Sequence, residues 1–435
     1  MTAVLLRHKA LCLAVSVASL VQPLYSYSVL SHEALIDALW DVELKLVLLA
    51  RFPNATREEL KTAHGYAYGG AIIQDLGYYP HGSKEFSDLT HYVRTGDFIL
   101  ALLEESRGIN DYAFALGALS HYVSDLDGHR YATNVGEPIL YPKLENKYGN
   151  VITYEQDPLA HLMTEFGFDV LEVAKGNFAP QAYHDFIGFY VAKDLLQRAF
   201  RDTYGLDLQD VFGGDFDRAI GSYRRAVSKT IPKATRIAWA QKKDEIQKAE
   251  PGTTKQQFIY AMRRSSYERN WGKDYDRPST GERILAFLLK LIPPIGPLRA
   301  LRFKMPTPPV ENLFRDSFNR SAGQYRERLR EAEKNTLSLP DANYDVGTIT
   351  PPGAYRLGDD ARAYWLDRLA RKEFSGMTPQ IRSSLLDFYG NLNAPIATKR
   401  DPKRWKRLLA ELQALKSHPL SAADSHRPVD RSPGE

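Results

Sequence analysis

The sequence predicts an all-α protein: a helical domain followed by a mostly helical, proline-interrupted C-terminal extension. Three observations predict it. Apolar residues recur at helical spacing in most segments between glycine and proline clusters. Long runs of alternating apolar and polar residues are absent. Helix start signals, such as Asp157 followed by Pro158, stand before periodic stretches.

In chain order, residues 1–26 read first as a secretory signal peptide. Arg7, His8 and Lys9 form a basic start, and the apolar stretch 10–21 is too short to span a bilayer comfortably. Ser26 is the small residue before the cut, although Leu24 fits the cleavage pattern poorly. An uncleaved anchor is the other reading of this segment. Cleavage makes the mature protein secreted or periplasmic and removes Cys12, the single cysteine. Disulfides and thiolate ligands are then excluded, and any metal must be held by nitrogen and oxygen.

Helical spacing next predicts helices over 33–49 (Leu35, Ile36, Leu39, Trp40, Leu46, Val47), 99–105, 112–125, 158–173 and 184–203. Asp111 and Asp157 are the expected N-caps. Gly65, Gly69, Gly70, Gly77, Pro80 and Gly82 mark residues 64–90 as a long loop or broken helix that bends side chains into a site. Phe216 to Lys248 reads as a further helix, and the boundary falls at Glu250-Pro-Gly. The organisation predicted is a signal at 1–26, a catalytic domain at 27–249, a helical extension at 250–416 and a disordered tail at 417–435. In the extension, helices are expected near 281–292, 310–334, 359–372, 379–389 and 401–416. The apolar 284–292 stretch, followed by Arg299, Arg302 and Lys304, reads as a core helix, with contact to lipid head groups as the alternative.

Charge divides the chain. Residues 1–245 hold 24 Lys+Arg against 31 Asp+Glu, net −7, and residues 246–435 hold 33 against 22, net +11. An acidic half suits cations. A basic half suits phosphate groups or an anionic membrane, or simply docks on the acidic one.

The chemistry concentrates in His121-Tyr-Val-Ser-Asp125-Leu-Asp-Gly-His129, where imidazole, carboxylate and imidazole follow at steps of four residues. His161 and Glu165 repeat the step. Four residues turn a helix by only about 40° past a full turn, so each set points one way. Seven of the eleven histidines lie from His32 to His161. The candidate donors His32, Asp75, His91, His121, Asp125, His129, His161 and Glu165 exceed what one ion needs and suggest two or three. Imidazole and carboxylate donors suit Zn²⁺ best, with Mn²⁺ or Fe²⁺ acceptable. Ions sharing a carboxylate lower the pKa of a water between them, and a third can take up charge on a leaving oxygen. That division of labour fits phosphodiester cleavage better than peptide cleavage.

On these residues the chain resembles the zinc-dependent phospholipases C, the phospholipase D-type sequences related to them and the secreted zinc nucleases. The resemblance covers residues 27 to about 245. It implies an all-helical fold with three zinc ions. It implies that one ion is held by the amino and carbonyl groups of Tyr27, taken as the mature N-terminus, with His32. His91, His121 and Asp125 would hold the second, with Asp125 bridging. His129, His161 and Glu165 would hold the third. Asp75 matches the family aspartate beside the water and is the expected general base. The family usually has a longer step from aspartate to histidine than Asp125 to His129, so Gly128 is expected to turn a tight loop. His64 and His81 are expected on a loop surface, and Asp127 towards solvent or neutralising the ions from behind.

The substrate implied is a phospholipid, with possible peripheral membrane contact and Tyr66, Tyr68, Tyr78 and Tyr79 lining a head-group pocket. No obligate protein partner is inferred. Two alternatives stay open: a nuclease for single-stranded nucleic acid on the same site, and a non-catalytic helical protein that zinc merely stabilises.

Overall fold

Thr56 starts one helix by a capping box: its Oγ1 accepts the Glu59 N–H at 3.3 Å, and its own N–H donates to Glu59 Oε2 at 2.8 Å. Asp157 accepts the Ala160 N–H at 3.0 Å and Pro158 opens the helix behind it. Asp401 and Pro402 do the same near the C-terminal end. In this computed structural model such signals set a chain of helices through the described residues, which are 29–175, 188–227, 242–251 and 302–419. The signal-like segment, Tyr27, the 284–292 stretch and all but the first three residues of the expected tail lie outside them.

The helices are α1 (Val29–Leu39), α2 (Lys45–Arg51), α3 (Arg57–Gly70), α4 (Lys84–Tyr92), α5 (Thr95–Glu104), α6 (Ile109–Gly128), α7 (Asn134–Leu140), α8 (Pro142–Tyr148), α9 (Pro158–Ala174), α10 (Lys193–Tyr204), α11 (Leu208–Val211) and α12 (Phe216–Arg225). Then come α13 (Pro308–Glu333), α14 (Arg356–Arg371), α15 (Pro379–Phe388) and α16 (Pro402–Ser417). A π turn at Trp40–Leu44 joins α1 to α2, another at His129–Thr133 joins α6 to α7, and a 3-10 turn spans Ile73–Tyr78. Among the described residues the regular structure is all helical; the one strand-like pairing is an isolated antiparallel bridge from Asn343 to Thr348. No helix of the described residues is long and apolar enough to cross a membrane.

Helix α6 is the axis of the molecule. From Tyr112 to Asp125 every residue is buried, the pattern of a helix packed on all sides. Helices α3 and α13 lie against it, with α1 and α5 beside them. Residues 64–90 are the broken helix of the two readings: α3 runs to Gly70, the 3-10 turn follows and α4 begins at Lys84, and the glycines at the end of α3 serve contact rather than turning. A Cβ on Gly70 would lie 2.9 Å from the Phe114 carbonyl carbon, and one on Gly117 would lie 2.9 Å from Ala71 N. The two helix backbones therefore meet at a crossing where side chains do not fit. Asp111, expected as an N-cap, sits inside the first turn of α6; Gly108 is the cap, and Asp111 accepts from Arg198 at 3.3 Å.

The C-terminal helices share this core. Tyr325 of α13 is buried and donates its hydroxyl to Leu116 O at 2.7 Å, and buried Trp365 of α14 donates to Tyr204 O at 2.7 Å. Asp127 accordingly faces α13: it accepts from Gln324 at 3.4 Å, and burial pushes its carboxyl up to about 6 against the pull of Arg320.

Candidate metal centre

Each predicted donor among the described residues is placed by its own element. Helix α1 is anchored at its first turn by buried Asp169 of α9, which accepts Leu30 N–H at 3.2 Å and Ser31 Oγ–H at 3.0 Å. His32 follows on the buried face, its Nδ1 2.9 Å from Ser124 Oγ. Asp75 sits on the 3-10 turn and is wholly buried. His91 lies at the end of α4 with Nδ1 2.8 Å from Ser87 O, and His121 on α6 with Nδ1 2.9 Å from Ala71 O. A carbonyl only accepts, so both Nδ1 atoms carry a proton and both Nε2 atoms are left to face the cluster.

Those atoms converge on Asp125. Its carboxylate oxygens lie 3.1 Å from His121 Nε2, 3.4 Å from His32 Nε2, 3.6 Å from His91 Nε2 and 3.9 Å from His129 Nε2. The rings of His32 and His121 stack with centroids 4.3 Å apart. Asp75 Oδ1 is 3.3 Å from His91 Nε2. Beyond Asp125, Glu165 Oε1 lies 3.2 Å from His129 Nε2 and 3.0 Å from His161 Nε2.

Among the described residues three donor groups have mutually close ligand atoms, all within 4.8 Å: His32, His121 and Asp125; Asp75, His91 and His121; and His129, His161 and Asp345. Every expected donor from His32 to Glu165 is thus in one buried cluster. Tyr27 lies outside the described residues. His129 arrives without a loop: Gly128 is helical at φ −62° and ψ −49°, and the rod runs on into the π turn. The step of four residues is simply one helical turn, so Gly128 has no left-handed turn to make.

The donors fit a cation. Both oxygens of Asp125, both of Glu165 and His121 Nε2 are buried without an aligned hydrogen bond. Polar groups in that state are costly unless something of opposite charge stands among them. Neutral imidazole with carboxylate is the donor chemistry of zinc. In the ion-free protein protons take that place. Burial lowers His121, but Asp125 and Asp75 outweigh it and push the imidazole up to about 9. Burial likewise opposes His161 and His129, yet Glu165 and Glu137 raise the first and Asp125 and Glu165 the second. Burial disfavours the charged Asp125, but His121 and His129 hold it well below the usual carboxylate range. His32 is pushed well down by burial and by His121, which outweigh the opposing pull of Asp125.

Two functional candidates escape the motif reading. Asp345 belongs to the loop after α13, and Glu137 of α7 faces His161 Nδ1 at 3.0 Å, its carboxyl pushed up to about 7 by burial. Glu137 stands eight residues after His129, two further helical steps of four, and was open to discovery on that count. Asp345 has no such signal.

Other expectations change. His64 is buried in α3, stacked on Trp40 at 3.8 Å and 3.4 Å from Asp37, so it is a packing histidine; His81 is on an exposed turn. Tyr68 and Tyr79 are core residues, the first donating to Asp37 and the second packed on Tyr223. Tyr66 packs on Tyr190. Tyr78 does stand at the cluster, half-buried, 5.8 Å from the His91 ring and 6.3 Å from Tyr154, which in turn lies edge-on to His161 at 5.4 Å.

No curated protein and no solved structure matches the chain. The family model described as zinc dependent phospholipase C matches residues 31–213, the stretch that holds His32, Asp75, His91, His121, Asp125, His129, His161 and Glu165. All helical and with these donors gathered in its middle, that stretch of the chain is similar to the zinc-dependent phospholipase C family.

Proposed function

We propose that the protein is a zinc-dependent phosphodiester hydrolase of the phospholipase C type, exported by its N-terminal signal and acting on the head-group phosphate of phospholipids. The observation that carries this reading is the buried convergence of four imidazoles on Asp125, with Asp75 alongside. Three zinc ions would be held: one by His32 and Asp125 with the Tyr27 terminus, one by His91, His121 and Asp125, and one by His129, His161 and Glu165. Bound zinc supplies Lewis acidity at the phosphate oxygens and lowers the pKa of water in the site.

The protein's own groups do the rest. The Ser87 and Ala71 carbonyls fix the tautomers of His91 and His121, so the donor set needs little reorganisation. Asp75, adjacent to His91, accepts the proton of the attacking water at a carboxylate oxygen. Tyr78 and Tyr154 stand beside the donors and offer aromatic faces to a cationic head group. The all-α core keeps the acceptors buried, where electrostatic interactions are strongest.

The test is hydrolysis of phosphatidylcholine vesicles and of denatured DNA by the purified protein, before and after chelation and again after zinc is restored. Zinc-dependent release of phosphorylated head group is expected. Turnover of DNA alone would make the protein a nuclease on this fold. A metal-loaded protein that melts higher than the chelated one yet cleaves neither would reduce the ions to a stabilising role.

A further inference from the structure

The segment matched by the family ends well before Asp345, yet this side chain reaches the cluster. The loop that carries it is fastened to the N-terminal helices at every step. Pro340 O accepts the Tyr122 hydroxyl at 2.8 Å. Asp341 Oδ1 accepts the Gly96 and Asp97 N–H groups at 3.0 and 3.1 Å, at the start of α5. Ala342 O accepts Thr95 Oγ1 at 2.7 Å. Tyr344 N–H donates to His91 O at 3.0 Å, and its ring lies 5.1 Å from the His91 ring. Gly347 at φ +71° closes the turn, its Cα packed against Leu126 O so that a Cβ would fall 2.8 Å away.

The loop thereby delivers a carboxylate that is 1% exposed. Asp345 Oδ2 accepts Tyr154 N–H at 3.0 Å and the Tyr355 hydroxyl at 2.8 Å. Among the described residues Oδ1 accepts only Asn134 Nδ2, at 3.2 Å, which leaves a lone pair. Its ligand atom lies within 4.8 Å of those of His129 and His161. A buried carboxylate oriented by three donors, with an oxygen this near two imidazoles, is how metal-binding aspartates are held.

Resting on the metal reading above, we infer that Asp345 is a ligand of the zinc held by His129, His161 and Glu165, so that the C-terminal extension completes this site. A fourth protein donor closes the tetrahedron of that ion. It is then the most firmly held of the three, and reaction chemistry concentrates at the other two, around Asp125 and Asp75.

The experiment uses the full-length protein. Zinc is counted by mass spectrometry during titration with a chelator, for wild type and Asp345→Asn. Loss of an outer partner of a zinc ligand costs about 10–100-fold in affinity, so loss of a direct ligand is expected to weaken one zinc equivalent by more than about 100-fold. The other equivalents stay within threefold. An Asp345→Asn protein that keeps all its zinc at wild-type affinity overturns the inference alone; wild type without zinc overturns the metal reading as well. Anomalous diffraction from crystals of the zinc-loaded wild type decides the matter if the variant fails to fold. An Asp345 oxygen about 2.0–2.2 Å from the ion beside His129 and His161 supports it. An ion there with Asp345 outside bonding distance overturns it.

Discussion

Gly117→Ala places a methyl where α3 and α6 have no room for it. The added Cβ falls 2.9 Å from both Ala71 N and the Ala67 carbonyl carbon, and nearer still to the Ala67 oxygen, whereas ordinary contact begins at 3.4 Å. Backbone atoms on both sides cannot swing away as a side chain does, so the helices must separate by at least about 0.5 Å, an over-packing that costs about 1–3 kcal/mol. For a chain of this size that is roughly 1–3 °C in melting temperature. The displacement also acts on the site. His121 is one turn beyond Gly117 and its Nδ1–H donates to Ala71 O at 2.9 Å. Stretching that bond frees the imidazole, and zinc affinity falls by about 10–100-fold. Gly323→Ala is the matched control: it lies within α13 with no atom within 4 Å of the added Cβ, so it stabilises by about 0.5–1 kcal/mol. Calorimetry and competition with a chromophoric chelator read both effects. Gly117→Ala melting at or above wild type with unchanged zinc affinity refutes the reasoning.

Three further outcomes are expected. Asp75→Asn lowers kcat on phosphatidylcholine by about 10²–10⁴-fold; activity within threefold of wild type at full zinc content removes Asp75 as the base. Zinc uptake strengthens as pH rises towards 9, because the ion-free protein holds protons on His121, pushed up to about 9, and on the raised His129 and His161. Calorimetry at pH 7 in buffers of different ionisation enthalpy shows net proton release, and a value of zero contradicts the protonated cluster. Glu411, pushed up to about 7 by burial and by Asp367, is protonated more readily folded than unfolded. Its contribution is present below the ordinary carboxylate pKa of 4.5 and is lost as pH rises through 7. Glu411→Gln therefore melts above wild type at pH 8 and equal to it at pH 4, by less than about 1 kcal/mol since the group is half exposed and screened. A larger gain at pH 4 than at pH 8 reverses the assignment.

Local signals made much of this legible. The steps of four from His121 to His129 and from His161 to Glu165 place donors on one face of a helix, and Asp157-Pro158 starts α9 where its caps require. The glycines near Gly70 leave loop and broken helix both open because a residue without Cβ serves a turn and a close helix crossing equally well; only the opposing Gly117, 47 positions away in the sequence, tells them apart. His64 and Tyr68 were misplaced because burial against Trp40 and Asp37 is a tertiary fact. Asp345 was invisible because nothing in an irregular proline- and glycine-bearing stretch announces which distant imidazoles it will meet.

The π turn at His129–Thr133 holds one residue more than an α turn would. Winding all five as regular α-helix, with no allowance for the extra one, swings everything after it by about 100° around the axis. Asn134, which grips Asp345, and Glu137, which faces His161, are carried away with it. A rod wound regularly through this point is expected to be sturdier and inert. That surplus residue marks a point where selection for heat endurance and selection for turnover pull in opposite directions.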